Sequence, residues 1–479
     1  MSTPTPVAAV DLGATSGRVM VGHVGPDELR LEQVARFPNG PVEHPDGLHW
    51  DVDALYAHVL DGLQEAGRTG TIASIGIDAW AVDYGLLRSG ELIDQPFHYR
   101  DERTAQGVDA VHSRVPFASL YAQNGLQFLP FNSLYQLTVD RLEGRLDGVE
   151  SALLIPDLLA YRLTGERVAE RTNASTTGLL SVNDAAGSRA SGSGWNERLI
   201  SELDLPRGLF PPLVAPGTRI GELLPAVADR VGYRTLVTSV GSHDTASAVV
   251  AVPMTEPNAA YISCGTWGLV GVELDRPVLT EASREANFTN EGGVDGRVRY
   301  LRNVMGLWLL NESMSTWASR GLRLSLPALL AEAEALTDPV PVFDPDDPRF
   351  MAPGDMPARI AQYCVEHGLA VPHSPAMFAR SIVESLADAF ARTAQEASDL
   401  SGKRVEVIHM VGGGAQNALL CQLTADRARL PVVAGPVEAT AIGNVLVQAR
   451  ALGVLQGGLE ELRELVARVT EPRRYLPRG

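Results

Sequence analysis

The segment Val7-Ala8-Ala9-Val10-Asp11-Leu12-Gly13-Ala14-Thr15-Ser16-Gly17-Arg18 runs apolar into a carboxylate, then turns through Gly, Thr, Ser and Gly. The apolar run predicts a buried strand, the glycines a tight turn, and residues 19–24 the returning strand of a hairpin. A looser copy opens the second half. Ala259-Ala260-Tyr261-Ile262-Ser263-Cys264 leads into Gly265-Thr266-Trp267-Gly268, and a strand follows at 269–274. The echo is too loose to establish a duplication, but it predicts that each half opens on a hairpin. The chain has 479 residues, more than one core usually holds, and domains over 1–248 and 249–479 are expected.

The remaining pattern fits mixed α/β structure. A strand over 29–37 extends the first hairpin into a meander. Helical spacing covers 53–66, with Leu55, Val59 and Leu63 on one face. Buried strands are expected over 72–77, ending at Asp78, over 82–87 and over 236–240. Further helices are expected over 133–143, 157–163, 305–320 and 375–400. Residues 185–194, rich in Gly, Ser and Ala, and the Pro/Asp-rich stretch 339–357 read as surface loops. A strand over 405–410 runs into Gly412-Gly413-Gly414. A helix from Ala415 and a short strand at 432–434 follow.

Composition excludes several classes. The formal net charge of −18 argues against a nucleic-acid-binding surface. Lys403 is the only lysine and is followed by Arg404, so there is no GxxxxGK[ST] loop and a lysine Schiff base is not expected. No GxGxxG opens a helix, which removes support for a dinucleotide oxidoreductase. The three cysteines, Cys264, Cys364 and Cys421, are widely spaced and read as reduced thiols of a cytoplasmic protein. No His/Cys/Glu cluster has zinc-site spacing. There is no signal-like start and no apolar run long enough for a bilayer.

Several residues can carry chemistry. Small residues in a turn let backbone N–H groups approach an anion, and hydroxyls add donors. A carboxylate beside such a cradle suits a divalent metal bridging to phosphate. An ordinary polar turn has the same sequence. Three glycine turns after apolar strands, at 13–17, 265–268 and 412–414, fit a nucleotide held between two domains. Asp244 follows a buried strand and opens a helical stretch. It can take a proton from a substrate hydroxyl, or it can simply cap the helix. His243 beside it can orient a sugar hydroxyl or sit satisfied at a strand end. Gly76-Ile77-Asp78-Ala79-Trp80-Ala81-Val82-Asp83-Tyr84 groups aromatic and acidic side chains. These are either sugar-binding groups or core and turn residues.

With these residues assembled, the chain resembles the FGGY carbohydrate kinases. The matching segments are Val10 to Arg18, Gly76 to Trp80, Tyr99-Arg100-Asp101, and Gln127-Phe128-Leu129-Pro130-Phe131-Asn132. They continue through His243-Asp244-Thr245-Ala246-Ser247-Ala248, Thr289-Asn290-Glu291-Gly292-Gly293, Asn303-Val304-Met305-Gly306-Leu307-Trp308 and Val411 to Gly414. The Trp80 segment, Phe128 to Asn132 and Asn303 to Trp308 are similar to those members that phosphorylate L-rhamnulose.

The resemblance implies two actin-like, ribonuclease-H-like α/β domains with an ATP/sugar cleft between them, the sugar side N-terminal and the nucleotide side C-terminal. It implies transfer of phosphate from ATP to the 1-hydroxyl of L-rhamnulose, with Asp244 as general base. Ala81, His243, Asp244, Thr245 and Asn303 would touch the sugar. Ala14, Thr15, Ser16, Gly17, Arg18, Thr266, Asn311 and Gly413 would bind ATP, and Asp11 would hold Mg²⁺ through water. Two positions depart from the family pattern: Ala81 stands where a glycine is usual, and Asn311 where a glutamine is usual. The expected partners are therefore the sugar and ATP, with no nucleic acid or membrane, in a cytoplasmic monomer or homodimer. Another ketose or deoxyketose as substrate, a non-catalytic sugar sensor and an actin-like ATPase remain as alternatives.

Overall fold

The computed structural model of the protein describes residues 4–182 and 194–478. The expected loop at 185–194 lies, apart from Gly194, outside the described residues. The chain forms two compact units. The first comprises Met1–Thr255, Glu273–Tyr300 and Ala439–Val469; the second comprises Glu256–Val272, Leu301–Glu438 and Thr470–Gly479. Two segments beyond residue 249 thus pack into the first unit.

In the first unit the hairpin forms as expected. Strand Thr5–Leu12 pairs antiparallel with Ser16–Gly25, which pairs antiparallel with Glu28–Pro38. On its other side Thr5–Leu12 pairs parallel with Ser74–Ala79, which pairs parallel with Leu236–Thr238. Arg219–Glu222 closes that edge antiparallel. The apolar side chains of the first strand, Val7 to Val10, are fully buried. Parallel strands need cover on both faces, and a near-continuous apolar run supplies it. Helix Val52–Thr69 starts on Asp51, whose carboxylate accepts the Ala54 N–H, and buries Leu55, Val59 and Leu63 as the spacing predicts.

Helix Ala439–Ala451, the late segment of this unit, crosses helix Asp244–Val250 closely. A Cβ added to Gly443 would lie 1.8 Å from the Ser247 carbonyl oxygen, so only glycine permits this crossing. The same helix reaches the sheet through Gln448, whose amide donates to the Ala8 carbonyl at 3.0 Å.

The second unit repeats the arrangement. Ala259–Cys264 pairs antiparallel with Trp267–Leu274 and parallel with Val407–Val411. Val407–Val411 pairs parallel with Val432–Ala434, and Arg473–Tyr475 closes the edge antiparallel. The loose sequence echo therefore marks a repeated topology. Helix Pro375–Ser401 matches its expected span to within a residue at its C-terminus.

Several elements differ from expectation. Residues 305–320 do not form one helix: Val298–Met305 is a strand, and Trp308–Ser319 is the helix. Gly306 sits between the two and lets the chain pass against the Gly265–Gly268 turn, where a Cβ would meet the Trp267 carbonyl carbon at 2.5 Å. The 82–87 strand starts at Tyr84, since Val82 takes a left-handed φ of 68°. The helix after the glycine turn begins at Ala418, capped by Asn417, behind a 3₁₀ turn at Gly413–Gln416. The 339–357 stretch is anchored by buried Phe343 and Phe350, so it is not simply a surface loop. Among the described residues no helix is long and apolar enough to cross a membrane.

Candidate active site

In the first unit the parallel strands end together, and their ends carry carboxylates. Asp11 and Asp78 are direct register partners on neighbouring strands. Both are buried. Arg18, returning on the hairpin, donates to Asp11 Oδ2 at 2.6 Å. Asn444 donates to Asp78 Oδ2 at 2.6 Å. Asp78 Oδ1 is buried and has no hydrogen-bond partner among the described residues. Burial raises the Asp78 carboxyl well above its ordinary range, and the neighbouring charges of Asp11 and Asp244 push the same way. Three carboxylates therefore converge at this sheet edge, where ligands of parallel α/β sheets bind.

Asp244 reaches this edge because Ala79 N–H donates to the Ser242 carbonyl at 2.9 Å, which extends the sheet as far as His243. His243 occupies the N-cap position, and Asp244 is the first helical residue. The Asp244 side chain turns back on its neighbour. Its Oδ1 accepts from Thr245 N–H at 2.5 Å and from Thr245 Oγ1 at 3.1 Å. Asp244 is thus not the N-cap. Its Oδ2 takes no hydrogen bond from the described residues.

The anion-cradle turn is tied down by Asn39, whose amide donates to the Gly13 carbonyl at 2.8 Å and whose N–H donates to Thr15 O at 3.1 Å. Ala14 is half-buried, Thr15 is exposed, and Ser16, Gly17 and Arg18 start the second strand. Packing alone already requires glycine at 17: an added Cβ would meet the Phe37 ring at 2.2 Å. Arg103 lies over the Phe97 ring and donates to buried Asp140 at 2.6 Å.

The aromatic and acidic segment around Trp80 is internal wiring. Asp83 is fully buried and accepts four hydrogen bonds: Trp50 Nε1 at 2.6 Å, Trp80 Nε1 at 3.1 Å, Tyr99 N–H at 3.1 Å and Gln136 Nε2 at 2.9 Å. The Trp50 and Trp80 rings pack at 4.1 Å between centroids. Burial pushes the Asp83 carboxyl up to about 7, and the four donors oppose that rise. A carboxyl raised in the folded state gives stability that is complete below its unfolded value and is lost as pH rises through the folded one. Asp83→Asn removes the titration. Melting temperatures of variant and wild type should therefore converge, or cross, as pH rises from about 5 to about 8. A constant difference across that range contradicts the assignment. Ala81, two residues before this hub, is half-buried.

In the second unit two of the expected ATP-binding segments adjoin. The Gly265–Thr266 turn holds the segment from Gly306. Leu307 N–H donates to Gly265 O at 2.9 Å, and Trp308 N–H to Thr266 O at 3.3 Å. A Cβ on Gly412 would lie 2.9 Å from Cys264 O, so the third glycine turn abuts the end of the strand leading to Thr266. Gly413 is exposed at that turn, and Asn311 is exposed on the helix begun by Trp308. Asn303 lies half-buried on the strand Val298–Met305. All three cysteines are buried free thiols.

Sequence reasoning missed four supporting residues. Asn444 holds Asp78. Buried Glu170 accepts from Ser242 N–H and Ser242 Oγ, both at 2.9 Å, and so fixes the approach to His243. Arg299 and Glu291 lie against His243, with Arg299 Nη2 3.0 Å from Nδ1. Only Glu291 fell in a segment the sequence had singled out. His44, Asp46 and His49 also come together on the hairpin Pro41–Trp50, a grouping that sequence spacing did not reveal. Hydrogen bonds to Gln95 O and Asp46 Oδ1 already engage both His49 ring nitrogens.

The N-terminal domain model of the FGGY family of carbohydrate kinases matches residues 7–251, and its C-terminal domain model matches 260–452. The chain belongs to this family. A rhamnulokinase of Bacteroides thetaiotaomicron is 41% identical over 478 residues, covering 98% of this chain and 95% of that one. One of Pectobacterium carotovorum is 41% identical over 479 residues, covering 99% and 93%. The fold is shared with ligand-bound xylulose kinase from Lactobacillus acidophilus, at a TM-score of 0.77, 17% identity and coverage of 99% and 94%. Gluconate kinase from the same organism gives a TM-score of 0.78 at 17% identity, with the same coverage. The family fold is the actin-like, ribonuclease-H-like pair of α/β domains, and the chain is a carbohydrate kinase.

Proposed function

We propose that this kinase transfers the γ-phosphoryl group of ATP to the 1-hydroxyl of L-rhamnulose, giving L-rhamnulose 1-phosphate and ADP. The observation that carries the substrate is the 41% identity to rhamnulokinases over nearly the whole of both chains. The observation that carries the chemistry is Asp244, with one carboxylate oxygen engaged by Thr245 and the other without a partner among the described residues.

In this reading Asp244 Oδ2 takes the proton of the attacking hydroxyl. His243, Thr245, Ala81 and Asn303 position the sugar. Ala14, Thr15, Ser16, Gly17 and Arg18 line the phosphates, while Thr266, Asn311 and Gly413 serve the nucleotide. Phosphoryl transfer depends mainly on such positioning and on charge neutralisation. Asp11 and Asp78 suit Mg²⁺: they are paired hard oxygen donors, and Asp78 Oδ1 is buried without a partner among the described residues. When bound, Mg²⁺ would offset negative charge on the phosphates. Three buried free thiols and an ATP substrate fit a cytoplasmic enzyme.

The test is a panel of ketoses and deoxyketoses read as sugar-dependent ADP release. L-Rhamnulose should give the highest kcat/KM. A higher value with another ketose would move the substrate, and Ala81 would be the first residue to examine. No stimulation by any sugar would favour a non-catalytic sensor.

A further inference from the structure

His243 is more than a neighbour of the proposed base. Arg299 is fully buried, and its guanidinium bears only N–H donors and no lone pair. Its Nη2 lies 3.0 Å from His243 Nδ1. Its Nε donates to the Gly292 carbonyl at 2.9 Å, which fixes the plane of the group. Two N–H groups cannot face each other at that distance, so Nδ1 must present its lone pair and the ring hydrogen must sit on Nε2. Nε2 is the nitrogen turned to Asp244, 3.4 Å from Oδ1. Buried Glu291 pairs with Arg299, Oε2 to Nη2 at 3.1 Å. Its Oε2 is also 3.4 Å from His243 Nδ1 and would compete for a hydrogen there. The shorter approach belongs to Arg299, and a hydrogen on Nδ1 would point toward its cationic group. Burial raises the Glu291 carboxyl, but the Arg299 charge, together with the His243 contact, outweighs it and holds the carboxyl below its ordinary range.

We propose that Arg299 is a positioning residue that fixes His243 as the Nε2–H tautomer, with Glu291 as its counter-ion. The Nε2–H then faces Asp244 Oδ1 at 3.4 Å, beside the Thr245 N–H and Oγ1 donors. Oδ1 is thereby committed, and Oδ2 is left as the oxygen that accepts the substrate proton. No bond to substrate is made by Arg299 itself. The proposal rests on the reading of Asp244 as the base.

Long-range ¹H–¹⁵N correlation of the His243 ring, assigned by its loss in His243→Gln, reads the tautomer without any turnover. The wild-type ring should show the Nε2–H pattern, and Glu291→Gln should keep it. Arg299→Met should mix the tautomers or reverse them. It should lower kcat about 10–100-fold, as loss of a histidine-orienting partner typically does, with the ATP KM little changed. Arg299→Lys, which keeps a cationic donor, should recover part of that loss and serves if the Met variant does not fold. On a His243→Gln background, where an amide N–H₂ replaces Nε2–H, changing Arg299 should cost little further.

An Nδ1–H ring in the wild type overturns the proposal. So does a folded Arg299→Met enzyme with unchanged kcat. Full turnover by Asp244→Asn overturns instead the reading of the base, and it would do so with the His243 tautomer still as stated.

Discussion

Asp244→Asn should lose sugar-dependent turnover by about 10²–10⁴-fold while still binding ATP, since a positioned general base contributes about that factor. The substitution keeps the shape of the side chain and an oxygen for the Thr245 donors. It removes only the negative charge and the proton affinity of the second oxygen. The fold should not suffer. Asp244 is one of the charges that push the buried Asp78 carboxyl upward, and neutralising it relieves that repulsion. A melting temperature equal to or above that of the wild type, together with lost turnover, separates catalysis from folding. Near-normal kcat in this variant contradicts the assignment of the base.

Gly443→Ala should destabilise the protein and inactivate it together. Two effects oppose each other. Alanine in a helix interior gains about 0.5–1 kcal/mol over glycine. The new methyl would lie 1.8 Å from the Ser247 carbonyl oxygen and 2.6 Å from its carbon, backbone atoms with no side-chain freedom to yield. Overpacking of this kind costs about 1–3 kcal/mol and occasionally more, so it outweighs the propensity gain. The helix that must shift is Asp244–Val250, which carries the proposed base on its first residue. Denaturant unfolding and kcat measured on the same preparation check both parts. An unchanged midpoint would mean that the two helices do not cross as closely as described.

The strand-end carboxylates and glycine turns were legible in the sequence because each is local. An apolar run, an Asp and a Gly within a few residues define the hairpin at 5–25, and the looser version at 259–274 carries the same information. Long-range partners were not legible. Gln448 and Ala8 are 440 positions apart, yet they share a hydrogen bond, and that helix supplies Asn444 to Asp78. Arg299 meets His243 across 56 positions, with no local pattern linking them. The Trp80 segment shows a third case. Its aromatic and acidic composition fitted sugar-binding groups and core or turn residues alike. Asp83 ties Trp50, Trp80, Tyr99 and Gln136 together inside the unit. Local composition does not distinguish a carboxylate facing a ligand from one facing buried indoles that arrive from elsewhere in the chain. The helix expected at 305–320 failed for a related reason: apolar spacing persisted through Gly306, but contact with the Gly265–Gly268 turn decided where the strand stopped.

The most direct test of the whole account is the identity of the product. Purified protein would be incubated with ATP, Mg²⁺ and L-rhamnulose, and the sugar phosphate followed by ¹H–³¹P correlation. Sugar phosphorus should correlate only with the C1 methylene protons, and the sugar phosphate should form in equal amount with ADP. Inorganic phosphate alone, or phosphorus coupled to any other position of the sugar, would contradict it.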